Sequence, residues 1–275
     1  MTSESVNGDA ATAHARSVVY SFLAAVFSFP EPQWIRDIAR AACACDTSQL
    51  LRRAAPTLTE PFERIRAEFV HVADDIHNES AVLQSAYTEL LGHTVRGTCP
   101  AYELEYGHSD ILQQASDLAD ICGFYHAFGM TLVTESHERA DHITVECEFM
   151  SVLTAKQLYA IEAGDDEAQQ ILLDAQCSFL NDHLSRWSPA WSFRLHRAAP
   201  EGFYGRAAMF LGDFIRTETA RFEIPCGPEL LELQPAEVQR DAQFECGVEE
   251  SCPGAAPAST TGAAGPLVQV GIDRG

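Results

Sequence analysis

Asp141-His142-Ile143-Thr144-Val145-Glu146-Cys147-Glu148-Phe149-Met150, entered through Ala140, decides how the rest of the chain is read. Ile143, Cys147 and Met150, joined by Phe149 and Leu153, recur at helical intervals and make a wide apolar face. Asp141 stands where an N-cap belongs, its carboxylate placed to accept the free N–H groups of a first turn. His142 and Glu146 lie four apart and share one face of that turn. An acidic cap, an imidazole and a carboxylate above an apolar stripe could hold a peptide, a nucleotide or a metal. The plain alternative is a capped core helix whose histidine bonds its neighbours.

Outward from this stretch the chain reads as helix after helix. Val19, Phe22, Leu23, Val26 and Phe27 define a first helix from Ala11 to Phe29, stopped by Pro30. Glu31-Pro32 opens a second, carrying Trp34, Ile35 and Ile38 inward, and Ser48 to Ala55 forms a weaker third. Thr59-Glu60-Pro61 starts a helix with Phe62, Ile65, Phe69 and Val72 on one face. Glu79 to Leu91 gives another, with Val82, Leu83, Tyr87, Leu90 and Leu91 inward. After a glycine-rich loop ending in Cys99-Pro100-Ala101-Tyr102-Glu103, Ser109-Asp110 caps a helix bearing Ile111, Leu112, Leu118, Cys122 and Tyr125, with Gly129 as its stop. Met130 to Arg139 is a polar connector.

The opening helix then runs to about Ile161, with Gly164 beyond it. Asp165-Asp166 caps the next, with Ile171, Leu172, Phe179 and Leu180 inward, and it ends near His183 and Trp187 before a proline-containing loop. Gly202 to Phe222 is the last strong helix. No stretch alternates cleanly enough for a strand, and there is no internal repeat. The fold class is all-α: a single helical bundle of about eight to ten helices in two halves, with a hinge near residues 130–142. Residues 1–10 read as a disordered acidic leader and 225–275 as a low-complexity tail, in which Leu230, Leu231 and Leu233 form a short docking turn.

Lys and Arg number 18 against 40 Asp and Glu, a formal charge of −22. Such a surface repels nucleic acid and anionic lipid and attracts cationic peptides. No run of 18 apolar residues exists to span a membrane, and the acidic start lacks the basic region of a secretory signal, so the expected compartment is the cytoplasm. Nine cysteines are an odd count, and no disulfide is expected there. Cys122, Cys147 and Cys177 read as small buried hydrophobes. Cys226, Cys246 and Cys252 gather in the tail, but 19 and 5 residues intervene, unlike the tight pairs of zinc sites; Cys43 and Cys45 fit no common pair either.

Five pieces in fixed order carry a family look: Phe27-Ser28-Phe29-Pro30, Cys99-Pro100-Ala101-Tyr102-Glu103, Asp141-His142 with Glu146 to Met150, His183-Leu184 with Trp187, and Phe203-Tyr204. Together, over residues 15–222, they resemble the TorD/DmsD/NarJ family of chaperones for molybdenum enzymes of the DMSO reductase class, most closely those serving type II enzymes. The resemblance implies a non-enzymatic maturation factor without a cofactor of its own. Its partner would be the apo catalytic subunit and that subunit's twin-arginine signal peptide, held open for cofactor insertion and kept from premature export. It also implies that Asp141 and His142 match an acidic–histidine pair linked to signal-peptide binding, and that a homodimer with exchanged halves is open.

A client-binding set of Asp141, His142, Glu146, Tyr102 and Glu103 follows, since an arginine pair favours carboxylates in bidentate geometry. Glu105 and Glu148 read instead as solvated helix faces. His183, Trp187, Trp191 and Tyr204 read as packing. Two other readings remain: a metal-dependent helical hydrolase using His142 and Glu146 with His126, His137 or His183, and an accessory structural subunit of an oxidoreductase complex. No GxxxxGK phosphate loop is present to support nucleotide hydrolysis.

Overall fold

A computed structural model describes residues 3–36, 49, 51–52, 55–74, 76–92, 96–107, 111–132, 138–235 and 268–270. Among these, eight helices dominate: α1 (Ser3–Val26), α2 (Pro56–Asp74), α3 (Ile76–Leu90), α4 (Ile111–Ala127), α5 (Ile143–Ala163), α6 (Asp166–Phe179), α7 (Ser185–Ala198) and α8 (Phe203–Arg221). The all-α expectation holds. The expected second helix is seen over residues 32–36, and the rest of it, with half of the third and the Ser109-Asp110 cap, lies outside the described residues.

The halves do not stand apart. α1 lies along α5 and touches α8, and α8 packs on α7 and α2. Ser17 and Ser151 each donate a hydroxyl to the other's carbonyl at 3.1 Å, which lets the α1 and α5 backbones approach closely. Above them Phe27 meets Trp191 edge to face at 4.8 Å and Tyr20 meets Phe214 in the same way. These aromatics belong to a single apolar core that also takes in Phe62, Tyr87, Phe149 and Phe179.

Several expectations are corrected. The leader expected over residues 1–10 is helical from Ser3, because an alanine-rich run leads into the apolar face without a proline to break it. α2 starts at Pro56 and accommodates Pro61 inside the helix rather than at its first turn. Val82, Leu112 and Ile171, expected inward, are exposed, while Leu83, Tyr87, Leu118 and Leu172 face the core. Val82 and Ile171 sit beside Leu83 and Leu172, which take the core-facing positions. Cys177 is half-buried rather than buried, whereas Cys122 and Cys147 are buried as expected. Among the described residues there are two short strands, β1 (Met130–Leu132) inside the expected polar connector and β2 (Val268–Val270), paired antiparallel.

The helix caps follow their chemistry. Asp165 Oδ1 accepts from Ala168 N at 2.9 Å, and Gly164 closes α5 in the left-handed region at φ 67°, which only glycine adopts without strain. The proline loop expected after Trp187 is instead helix. A π-turn over Leu180–Leu184 links α6 to α7, and Pro189 lies inside α7. Having no N–H, Pro189 leaves the Ser185 carbonyl without its intrahelical donor. Gly227 N supplies that donor at 3.0 Å. A Cβ on Gly227 would stand 2.3 Å from Ser185 O, so the approach requires glycine.

From Gly227 the chain continues as a strap over the 103–107 loop. Leu233 bridges Tyr106, Gln234 N donates to Glu105 O at 2.8 Å, and Arg96 Nη2 donates to Gln234 O at 2.9 Å. Leu233 and Leu231 pack against the core and Leu230 stays exposed, so the docking turn takes two of its three leucines inward.

The deepest ion pair joins α1 to α8. Arg16, 3% exposed, donates to Glu218 through Nε at 2.8 Å and Nη2 at 2.6 Å, and Tyr20 Oη donates to the same carboxylate at 3.0 Å. Burial works against the Arg16 charge, and Glu218 outweighs it, raising the guanidinium pKa. Arg16→Met would leave the buried Glu218 with the Tyr20 hydroxyl and the more distant Arg221 Nε at 3.5 Å. Urea unfolding should then show a loss of about 3–5 kcal/mol; a loss below about 1 kcal/mol, the range of exposed pairs, would contradict this role for the pair.

Candidate functional site

The Tyr102–Glu105 loop and the start of α5 meet in one short antiparallel contact. Glu103 N donates to Asp141 O, and Ile143 N donates to Ala101 O, both at 2.9 Å, around a bridge between Tyr102 and His142. This contact brings all five candidate residues, Tyr102, Glu103, Asp141, His142 and Glu146, to one place. The 3-10 turn Glu103–Glu105 then carries the loop under the strap.

Asp141 does not cap α5. His142 takes that position, its Nδ1 accepting from Thr144 N at 3.3 Å. Asp141 is instead fully buried, held by Leu104 N at 3.1 Å and by a bidentate pair from Arg139, Nε at 2.9 Å and Nη2 at 2.5 Å. The Arg139 guanidinium lies 4.7 Å from the centroid of the Tyr102 ring. Tyr102 Oη donates to Glu138 Oε2 at 2.6 Å, and its ring meets the His142 ring edge to face. An Nδ1 acceptor fixes the neutral tautomer, with Nε2–H toward Glu138 Oε2 at 3.7 Å. Burial lowers the His142 pKa, against the pull of Glu138 and Asp141.

Beneath this layer lies a second one. Glu146 is completely buried, with Oε2 accepting from Trp187 Nε1 at 3.3 Å and Oε1 without a hydrogen-bond partner. Burial, then the charges of Glu103 and Asp141, pushes its pKa well above the carboxyl range. Glu103 is also raised by burial, and His183 opposes that shift. His183 spans two carboxylates, Nδ1 to Glu103 Oε2 at 3.3 Å and Nε2 to Asp120 Oδ2 at 3.2 Å. Burial works against the imidazolium, but Glu103 and Asp120 outweigh it and raise the pKa. The centre therefore holds a Glu103–His183–Asp120 row beside a buried Glu146 whose carboxyl is pushed toward its neutral form.

Four residues of this centre lay outside the sequence-derived set: Arg139, Glu138, Asp120 and His183. Arg139 and Glu138 were legible in principle, since an Arg two residues before an Asp invites a local pair. His183, read as packing, joins the polar row; Trp187 and Trp191 are buried, with Trp191 Nε1 donating to Cys99 O at 3.1 Å. Glu105, read as solvated, is buried and paired with Arg96 Nη2 at 2.6 Å, while Glu148 is half-buried. Cys99, at the end of its loop, is buried, and burial pushes its thiol up to about 11. Among the described residues, no group of three His, Cys, Asp or Glu is arranged to hold a metal ion. His137, Cys43, Cys45, Cys246 and Cys252 lie outside them, and Cys226 is exposed. No helix among the described residues is long and apolar enough to cross a membrane.

An all-α bundle with an acidic, aromatic-walled centre between a loop and a helix start defines the class of protein. Residues 53–192 match the family described as nitrate reductase delta subunit. A perchlorate reductase assembly chaperone protein of Dechloromonas aromatica is 30% identical over 177 residues, 64% of this chain and 75% of that protein. A chaperone protein TorD of Photobacterium profundum is 28% identical over 166 residues, 60% and 74% of the two chains. Another TorD, of Aliivibrio salmonicida, is 27% identical over 120 residues, 42% and 53%. The chain belongs to this TorD/NarJ family of molybdoenzyme chaperones.

A carboxyl whose pKa is raised in the folded state stabilises below its unfolded value, and that stability is lost as pH rises through the folded value. Wild-type stability should therefore fall as pH rises above the ordinary Glu pKa of about 4.3. His183, also raised, adds to the same trend. Glu146→Gln, neutral at every pH, should flatten the fall; equal slopes from urea unfolding across this range would show that Glu146 is charged in the fold.

Proposed function

We propose that this chain is a dedicated, non-enzymatic maturation chaperone. It binds the apo catalytic subunit of a molybdenum enzyme of the DMSO reductase class, in the cytoplasm, and engages that subunit's twin-arginine signal peptide at the Tyr102–Asp141–His142 centre. Family membership carries the chaperone role, supported by a relative with 30% identity that is a reductase assembly chaperone. The type II enzymes are the proposed clients within that class.

The signal-peptide part rests on chemistry. A net charge of −22 draws a basic segment toward the protein. Asp141 accepts a guanidinium in bidentate geometry and Tyr102 offers it a ring face, the two contacts arginine favours. Glu138 is 18% exposed beside them and supplies a further carboxylate near the surface. Glu103 and Glu146 lie below, so their part is to hold the floor of the site. No nucleic acid, membrane insertion or cofactor enters this reading.

Pull-down from the native cytoplasm should recover an apo-molybdoenzyme subunit with its signal peptide still attached. Asp141→Ala and Tyr102→Leu should reduce recovery at least about tenfold, the loss of one charge-assisted, stacked contact. Equal recovery by all three would keep the chaperone and move its binding site. Recovery of only mature, cofactor-loaded enzyme would instead favour a permanent accessory subunit.

A further inference from the structure

We infer that Tyr102 and Asp141 form a guanidinium pocket that the chain fills with its own Arg139, and that a client arginine enters by displacing it. This rests on the reading that the client's signal peptide binds at this centre. The occupant is seen directly: Arg139 donates twice to Asp141, and its guanidinium lies 4.7 Å from the Tyr102 ring centroid. That is the geometry a bound arginine ligand would adopt, supplied from two residues away.

Each wall of the pocket is anchored independently of Arg139. Leu104 N holds the Asp141 carboxylate at 3.1 Å, and Glu103 N holds the Asp141 carbonyl at 2.9 Å. The Tyr102 ring is fixed by its hydroxyl on Glu138 Oε2 and by its edge-to-face contact with His142. Removing Arg139 therefore leaves a formed aromatic and carboxylate cradle rather than a collapsed one. The two partners also differ in access, since the Asp141 side chain is 0% exposed and that of Arg139 is 39% exposed. The occupant thus forms the solvent side of its own pocket, and its departure opens the carboxylate to an incoming side chain.

Self-occupancy lowers the apparent affinity for a competing arginine by the fraction of molecules whose pocket is free. It also discriminates. A single stray arginine only exchanges with Arg139, whereas a peptide with a second arginine or an apolar stretch adds contacts that Arg139 lacks. A lysine, unable to donate twice in one plane, is a weak competitor.

The test uses the full chain, a synthetic twin-arginine peptide and methylguanidinium as a minimal probe. Arg139→Ala should bind the peptide about tenfold tighter than wild type if the pocket is self-occupied nine times in ten. Arg139→Lys, which keeps the charge, should fall between them. Methylguanidinium at millimolar concentration should raise the melting temperature of Arg139→Ala more than methylammonium does, and adding Asp141→Asn should remove that difference. Peptide binding that is unchanged or weaker in Arg139→Ala, with no selective methylguanidinium effect, overturns the inference and leaves the client reading standing. Selective stabilisation by methylguanidinium without peptide binding by any variant upholds the pocket and overturns the signal-peptide reading.

Discussion

Two backbone hydrogen bonds, Glu103 N to Asp141 O and Ile143 N to Ala101 O, hold together what the chain order separates. They fasten a loop that follows α3 to the first turn of α5, and α5 is the helix against which α1 lies. With that fastening in place, Tyr102 faces His142, Glu103 reaches His183 and Leu104 N reaches Asp141. Without it the same side chains would belong to two unrelated surfaces. Few interactions this small arrange so much.

The treatment of buried charge follows one rule in two settings. Arg16 and Glu218 form a buried ion pair whose remaining atoms meet Tyr20, Gln157 and Arg221. Around Glu146 the interior offers one indole N–H and two neighbouring carboxylates, so neutralising the side chain is the cheaper solution. At Glu103 burial also raises the pKa, but His183 opposes the shift, and the other His183 nitrogen reaches an exposed Asp120. The polar centre thus reaches solvent through side chains, His183 onto Asp120 on one side and Arg139 on the other.

Helical periodicity made the fold legible, because Val19, Phe22, Phe149 and Phe214 repeat at the period their burial requires. Positions adjacent to the apolar stripe, such as Val82 and Ile171, were misjudged because a hydrophobic residue at a stripe's edge has the same spacing whichever side it faces. The candidate set of Tyr102, Glu103, Asp141, His142 and Glu146 converges in space, yet the roles were shifted by one residue at the cap. Asp and His both accept from a backbone N–H, and only the competing claim of Arg139 on Asp141 decides which does so. Arg16–Glu218 was invisible: partners 202 residues apart leave no local pattern. Pro189 misled for a related reason, since the donor replacing its missing N–H comes from Gly227, beyond the last helix.

The π-turn at Leu180–Leu184 acts as a phase shifter. One extra residue in a helical path rotates everything after it by about 100°. α6 and α7 therefore run as one rod with two different inward faces, Leu172 and Phe179 before the turn, Trp187 and Trp191 after it. Read at a single uniform period, the rod would send both tryptophans away from the core that Phe27 and Cys99 complete. Deleting a single residue there would leave both flanking helices whole in sequence and still misaim the second of them.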